Sequence, residues 1–268
     1  MTTLNDASRA AWWLQLLTVL MMMFILAPLL VVTAMSFSDS YFVSFPPQGF
    51  TLKWYEKVLH DGEFLASLRL SALLALAATT GSLLLGVPGA LALTRGAIPG
   101  SAFITNVLLS PLIFPGLITG LALLQIFARA GSQDPRLNLL IGHIVVTAPY
   151  VMRNVITSLQ LVDRNLEDAA RTLGAGQLQT FWRVTLPQIM PGVAAGAVFA
   201  FMISFEDYPV SMWLADAQYT PIPLLIKAQL VNVFDPSVPA MSTIVVLLAL
   251  ACVVAMERLV GIRRAASV

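Results

Sequence analysis

Glu206 and Asp207 stand side by side in an apolar stretch of this chain of 268 residues. Ionised carboxylates at membrane depth cost several kcal/mol unless paired or hydrated, so they should face a cavity. There they either attract a cationic solute, or serve as an ion pair, a hydrogen-bonded cap or an exposed rim. Gln125 and Asn154 are further candidates for lining a cavity. His143 is expected to be a hydrogen-bonded packing residue, and Arg153 to reach along its helix toward the interface. His60 and His143 are far apart and share no metal-ligand spacing, and no Ser-His-Asp set stands out. The lysines are Lys53, Lys57 and Lys227, and none completes a phosphate-binding Gly-x-x-x-x-Gly-Lys-Ser/Thr loop. The chain therefore has no means of its own to use ATP by that route, and no catalytic role of its own is expected. Its single cysteine, Cys252, forms no intrachain disulfide.

The elements that must position these groups are membrane helices. The chain is 58% hydrophobic and 11% charged, with a net charge of +1 and mean hydropathy +0.83, against about 25% charged residues in a soluble domain. Nothing in this balance points to nucleic acid. Six stretches are long and apolar enough to span: 12–34, 64–94, 102–128, 139–161, 192–215 and 240–262. All are expected to be helices, because backbone polar groups in hydrocarbon must be satisfied within the segment. The first exceeds a signal-peptide core and reads as an uncleaved span. Gly81, Gly86, Pro88 and Gly89 allow close helix packing in the second. Pro111 and Pro115 should kink or break the third, and Pro149 bears on the fourth. Thr51–Leu59 reads as a short interfacial helix with Tyr55, Val58 and Leu59 on one face and Trp54 beside it. With a cytoplasmic N-terminus, Arg9, Arg95, Arg153, Arg164, Arg171, Arg183, Arg258, Arg263 and Arg264 lie inside. Both termini, 1–11 and 263–268, are then cytoplasmic, as is the loop 163–191.

That loop is a polar island in an apolar chain. Asp163 or Asn165 can cap a helix. Leu166, Ala169, Ala170 and Leu173 fall on one apolar stripe, and Glu167 and Asp168 occupy the first turn, where carboxylates suit the helix dipole. Gly174 is placed to end the helix in a left-handed conformation. Leu178, Phe181, Trp182 and Leu186 form a second bulky surface, which Pro187 should stop before Pro191 opens the fifth span. A solvated connector has no use for two aromatics and an alanine stripe.

Asp168-Ala169-Ala170, Gly174-Ala175 and Val184-Thr185-Leu186-Pro187 resemble the EAA loop of permease subunits of bacterial ABC importers, the binding-protein-dependent, MetI-like type I family. The resemblance covers roughly 12–262, with a core at 64–262. It implies an all-α polytopic membrane protein with six transmembrane helices in the bacterial inner membrane. It further implies that Glu167, Asp168, Ala169, Ala170, Gly174, Leu186 and Pro187 couple the chain to a dimer of separate ATPase subunits. These would bind ATP and Mg, leaving this chain without a cofactor. A second, different permease would complete the pathway, and a periplasmic binding protein would deliver the solute. Ser204-Phe205-Glu206-Asp207, the stretch 220–224 and Asp235-Pro236 resemble the polyamine branch, second-permease type, which implies a small cationic solute. Asp168 stands where the family has Glu, with Glu167 just before it, so the resemblance leaves open which carboxylate meets the ATPase. The competing class is a self-contained secondary transporter or channel. Such proteins show related halves with matching broken helices, no convincing repeat is present here, and they would not need the loop.

Overall fold

The computed structural model describes residues 3–42, 45–96, 98–233 and 235–260. All regular structure among them is helical, as lipid demands of a spanning chain. Five helices are long and apolar enough to cross a membrane, and a bent pair supplies a sixth crossing if counted as one span. The tail expected at 263–268, with Arg263 and Arg264, lies outside the described residues. The chain divides into two units, residues up to 61 with 228–246, and residues 62–227 with those from 247 onward.

In the first unit, α1 (Thr3–Met35) carries Pro28 without a break. It begins within the segment expected to be a cytoplasmic tail. Its side chains from Trp12 to Leu30 are all exposed and almost all apolar, the pattern of a helix meant for lipid or another helix. The helix α2 (Lys53–Leu59) follows a turn, as expected, but its buried pair is Trp54 and Val58. These are i and i+4, one face of a helix. Leu59 is exposed, and Tyr55 is half-buried with its hydroxyl 2.5 Å from Ser36 Oγ. The indole of Trp54 decided the rotation: its N–H donates to the Ser38 carbonyl at 2.8 Å, so that ring must point inward. Lys53 Nζ sits over the rings of Tyr41 and Trp54 and pairs with Asp39 at 2.5 Å.

Lys57 Nζ pairs with Asp235 Oδ2 at 2.7 Å, and the Ser237 hydroxyl and amide donate to the other oxygen at 2.6 and 2.8 Å. Burial pushes the Asp235 carboxyl up, but the bonds from Lys57 and Ser237 together outweigh it and hold it below its usual value. A depressed carboxyl stabilises the fold above its unfolded pKa of 3.8 and loses that contribution as pH falls through its lower folded value. Lys57→Met is therefore expected to lower thermal stability at pH 7 by about 0–1 kcal/mol, the range of half-exposed pairs. The gap from wild type should close as the pH drops below 3.8. Thermal unfolding of both proteins in detergent across that range checks it, and a constant gap would exclude the Asp235 pair as its cause.

In the second unit, α3 (Gly62–Arg95), α6 (Pro135–Leu161) and the helix ending at Phe205 pack as a three-helix core. Val151, Met152, Val155 and Leu159 of α6 are buried against Ala90, Ile189 and Ala200. Pro88 and Pro149 lie inside continuous helices. The third span breaks as its prolines predict. The helix α4 (Ser101–Leu109) runs into a 3-10 turn at Ser110–Leu112, then α5 (Gly116–Arg129) leaves at 104°. Pro115 adopts ψ of 129°, an extended value that no helix can continue.

Residues 163–191 were expected as two short helices followed by a separate fifth span. The structure joins the second helix to the span. After α7 (Arg164–Thr172), α8 (Gln177–Thr180) passes through one π turn, Phe181–Thr185, into α9 (Leu186–Phe205). The 29 residues Gln177–Phe205 make one spanning helix. A π turn widens the helix just before Pro187 and draws the preceding carbonyls away from its ring, so the proline is passed without a stop. The fifth span accordingly begins earlier and ends ten residues sooner than the expected 192–215. The short helices α10 (Ser211–Leu214) and α11 (Ile222–Ala228) follow. The last span is α12 (Val238–Val260).

Candidate functional site

The loop between α6 and α9 is built as its residues direct. Asp163 is the N-cap of α7, accepting from the Asn165 amide at 2.9 Å. At the other end the Gly174 amide donates to Arg171 O at 2.9 Å and the Ala175 amide to Ala170 O at 3.0 Å. These two bonds form a Schellman motif, which needs the left-handed φ of +92° that Gly174 adopts. A side chain there would be strained.

Exposure sorts the loop into two faces. Leu166, Asp168, Ala169, Leu173, Leu178, Trp182 and Pro187 are exposed, Leu173 to 89% and Trp182 to 60%. Ala170 and Leu186 are half-buried and Gly174 is exposed. Glu167 alone in α7 is buried, at 7% exposure. Its Oε1 accepts from Arg95 Nη2 at 3.3 Å and from Thr185 Oγ1 at 3.1 Å. Arg164 donates to the Thr94 carbonyl at 2.8 Å. Of the two adjacent acids, one is committed inside the chain and the other faces outward. Arg95 and Thr185 were not foreseen as partners. Their only trace in the sequence is position: one ends a span with a cation, the other puts a hydroxyl inside an apolar run.

The four expected pathway residues are placed separately. Glu206 is exposed at the C-terminal end of α9, and Asp207 follows it. Neither lies within a span, as both would have if the fifth ran over 192–215. Asp207 Oδ1 accepts from the amides of Val210 and Ser211 at 2.8 and 3.1 Å, capping the segment that carries α10. Gln125 is exposed on α5. Asn154 is half-buried in a groove of about 530 Å³ between α6 and α9, beside Tyr150, Arg153, Gly192 and Phe199. Its amide donates to Tyr150 O at 2.8 Å. No hydrogen bond among the described residues joins Gln125 or Asn154 to Glu206 or Asp207. His143 is a buried, hydrogen-bonded residue, with Nδ1 2.7 Å from Ser204 Oγ and Nε2 3.0 Å from Ser211 Oγ. It ties α6 to the end of α9 and to α10. Among the described residues no three His, Cys, Asp or Glu side chains gather as a metal site.

This arrangement is a multi-pass helical core with a polar, capped loop that shows a mixed apolar and acidic face outside the core. Comparison with known proteins finds relatives in sequence and in fold. The chain is similar to the putrescine transport system permease protein PotI of Escherichia coli (strain K12), 29% identical over 240 residues, covering 87% of this chain and 85% of that one. It is similar to the spermidine/putrescine transport system permease protein PotC of the same strain, 31% identical over 230 residues, covering 86% and 87%. Its fold matches a chain of a bacterial ABC transporter involved in the import of the acidic polysaccharide alginate. There the TM-score is 0.71, with 23% identity over 97% of this chain and 98% of that one. The family model for the binding-protein-dependent transport system inner membrane component matches residues 5–262. Six candidate crossings, the capped loop and a match along almost the whole length agree, and the chain belongs to the family of binding-protein-dependent transport system inner membrane components.

Proposed function

We propose that this chain is one of two permease subunits of an ATP-driven importer for a small cationic solute of the polyamine type. The exposed face of the loop carries the reading: Leu166, Asp168, Leu173, Leu178 and Trp182 are all exposed, and Trp182 is held edge-on against Phe181 at 5.3 Å. Exposed apolar groups concentrated on a rigid, capped element outside the membrane mark a docking surface. The chain holds no phosphate-binding loop, so the partner on that surface is the ATPase, as a dimer serving both permeases, and it holds the ATP and Mg. This chain binds no cofactor. Asp168, not Glu167, is the acid presented to the ATPase, with Ala169, Ala170, Gly174, Leu186 and Pro187 shaping the surface around it. Both termini and the loop face the cytoplasm of a bacterium, and the opposite side receives a periplasmic binding protein.

The solute class rests on the similarity to permeases named for putrescine and spermidine. Glu206, exposed beyond α9, is the carboxylate free to meet a cation, and Asp207 holds the segment beside it. Asn154 and Gln125 line the route further along.

The test is assembly. The tagged chain, expressed with the coding sequences adjacent to its own, is expected to purify with an ATPase and a second permease. Trp182→Ala with Leu173→Asp should cut ATPase recovery at least about tenfold, the loss expected when an aromatic anchor leaves an interface. Unchanged recovery, or a chain that moves diamine without any ATPase, would sink the reading in favour of a self-contained carrier.

A further inference from the structure

Glu167 is buried where every other charged residue of α7 is exposed. An apolar side chain would fill the same space without the desolvation cost of a buried ion pair. What an apolar residue lacks is direction. The Glu167 carboxylate receives Arg95 from the inner end of α3 and Thr185 from the π turn at the foot of α9. Arg164, also in the first turn of α7, adds a bond to Thr94 of α3. The chain itself joins α7 to α6 through Val162, which is extended. The first half of α7 is thus attached to each of the three helices of the core: covalently to α6, by two arginines to α3, and by Glu167 to α9.

We infer that Glu167 is a positioning residue that locks α7 to α3 and α9, so that movement imposed on the exposed loop face is carried into the spans as a rigid-body displacement. The inference rests on the transport reading above and adds a division of labour between neighbouring acids. Asp168 meets the partner, and Glu167 transmits inward what the partner does. A π turn at Thr185 suits this role, because the extra residue turns the Thr185 hydroxyl toward Glu167 while leaving the helix continuous. Arg95 Nε and Thr180 Oγ1 are buried without a hydrogen-bond partner, so this part of the protein keeps polar groups where packing alone would not place them.

The experiment uses the assembled transporter with Cys252→Ala, spin labels at Thr172→Cys and Phe199→Cys, and distances measured without nucleotide and with trapped ATP. Both labelled positions are exposed. In the parent complex the distance between labels should change by less than about 2 Å, the scale of small helix shifts within a rigid unit. Glu167→Gln should broaden that distribution or shift it by about 5 Å, while ATP hydrolysis continues and uptake of radiolabelled putrescine falls about tenfold. Thr185→Val, which spares the Arg95 contact, should show the same uncoupling in weaker form, and Thr185→Ser should restore it. The inference is overturned if Glu167→Gln keeps the parent distances and the parent ratio of ATP used to solute moved. It is equally overturned if hydrolysis and uptake fall in parallel with loss of assembled complex and Thr185→Val has no effect. A parent complex that lacks a hydrolysing subunit is the separate outcome that sinks the transport reading, and the lock with it.

Discussion

Gly192→Leu is expected to cut the amount of folded protein in the membrane severalfold. A Cβ at 192 would meet the backbone oxygen of Asn154 at 2.7 Å, with Ser158 Oγ and Cβ on the same side. A hydroxyl can rotate away, but a carbonyl in the middle of α6 cannot. The same holds one turn on, where a Cβ at Gly196 would lie 2.9 Å from Val151 Cα. The two helices touch backbone to backbone, and in lipid that close approach is the principal attraction between them, since burial from water contributes nothing. A leucine would force α6 and α9 apart along the seam holding Val151, Val155, Ile189 and Ala200. Overpacking of a tight core costs about 1–3 kcal/mol or more, and the dispersion attraction forfeited along the opened seam adds to that. Against a total stability of about 5–15 kcal/mol, membrane yield measured by quantitative blotting should fall severalfold and thermal stability in detergent should drop. Leu84→Ala, at an exposed position of α3, should leave both unchanged. Wild-type yield and melting for Gly192→Leu would show that the helices can part at that seam without loss.

The second large effect is Arg95→Met. The Arg95 and Glu167 side chains are 17% and 9% exposed, so their pairing is mostly shielded from water. Removing one partner of a buried pair costs about 3–5 kcal/mol because the other charge is left without compensation. Thr185 still bonds the carboxylate, which places the expected loss near the lower end of that range. Replacing both charges, as Arg95→Met with Glu167→Gln, should recover more than half of the loss, since no uncompensated charge remains. Unfolding of the four proteins in a double-mutant cycle measures the coupling directly. Additive losses would mean that the 3.3 Å contact carries no energy and that Arg95 acts through packing alone.

Much of this architecture is readable from residue types. Hydropathy runs place the spans, Pro111 and Pro115 announce the break between α4 and α5, and Asp163 and Gly174 mark both ends of α7. The break and the two ends of α7 are local effects, settled within four or five residues. The misplacements arise where a distant group decides. Pro187 looks like a stop because the π turn that accommodates it has no signature in composition. Moving the start of that span from 192 to 177 also moves Glu206 and Asp207 from its interior to its end. Glu167 and Asp168 are neighbouring carboxylates that the sequence leaves to compete for one role, yet one residue of helix is a rotation of about 100°, and Arg95, which breaks the tie, is far away in the chain. The burial of Trp54 in place of Leu59 is the same kind of decision, made by one carbonyl waiting for an indole N–H.

The continuity of Gln177–Phe205 has a mechanical consequence. Twenty-nine residues of helix form a shaft about 44 Å long, with the exposed Trp182 near one end and Glu206 just past the other. A shaft of that length works as a lever arm. Tilting its foot by about 5° sweeps its tip sideways by about 4 Å, more than the width of a water molecule, with no hydrogen bond of the helix broken. His143 grips the shaft near its tip through Ser204 and holds Ser211 with its other nitrogen, so such a sweep would arrive first at the segment that Asp207 caps. A tilt of small amplitude applied at the foot of the shaft would in this way be delivered, enlarged, at its tip.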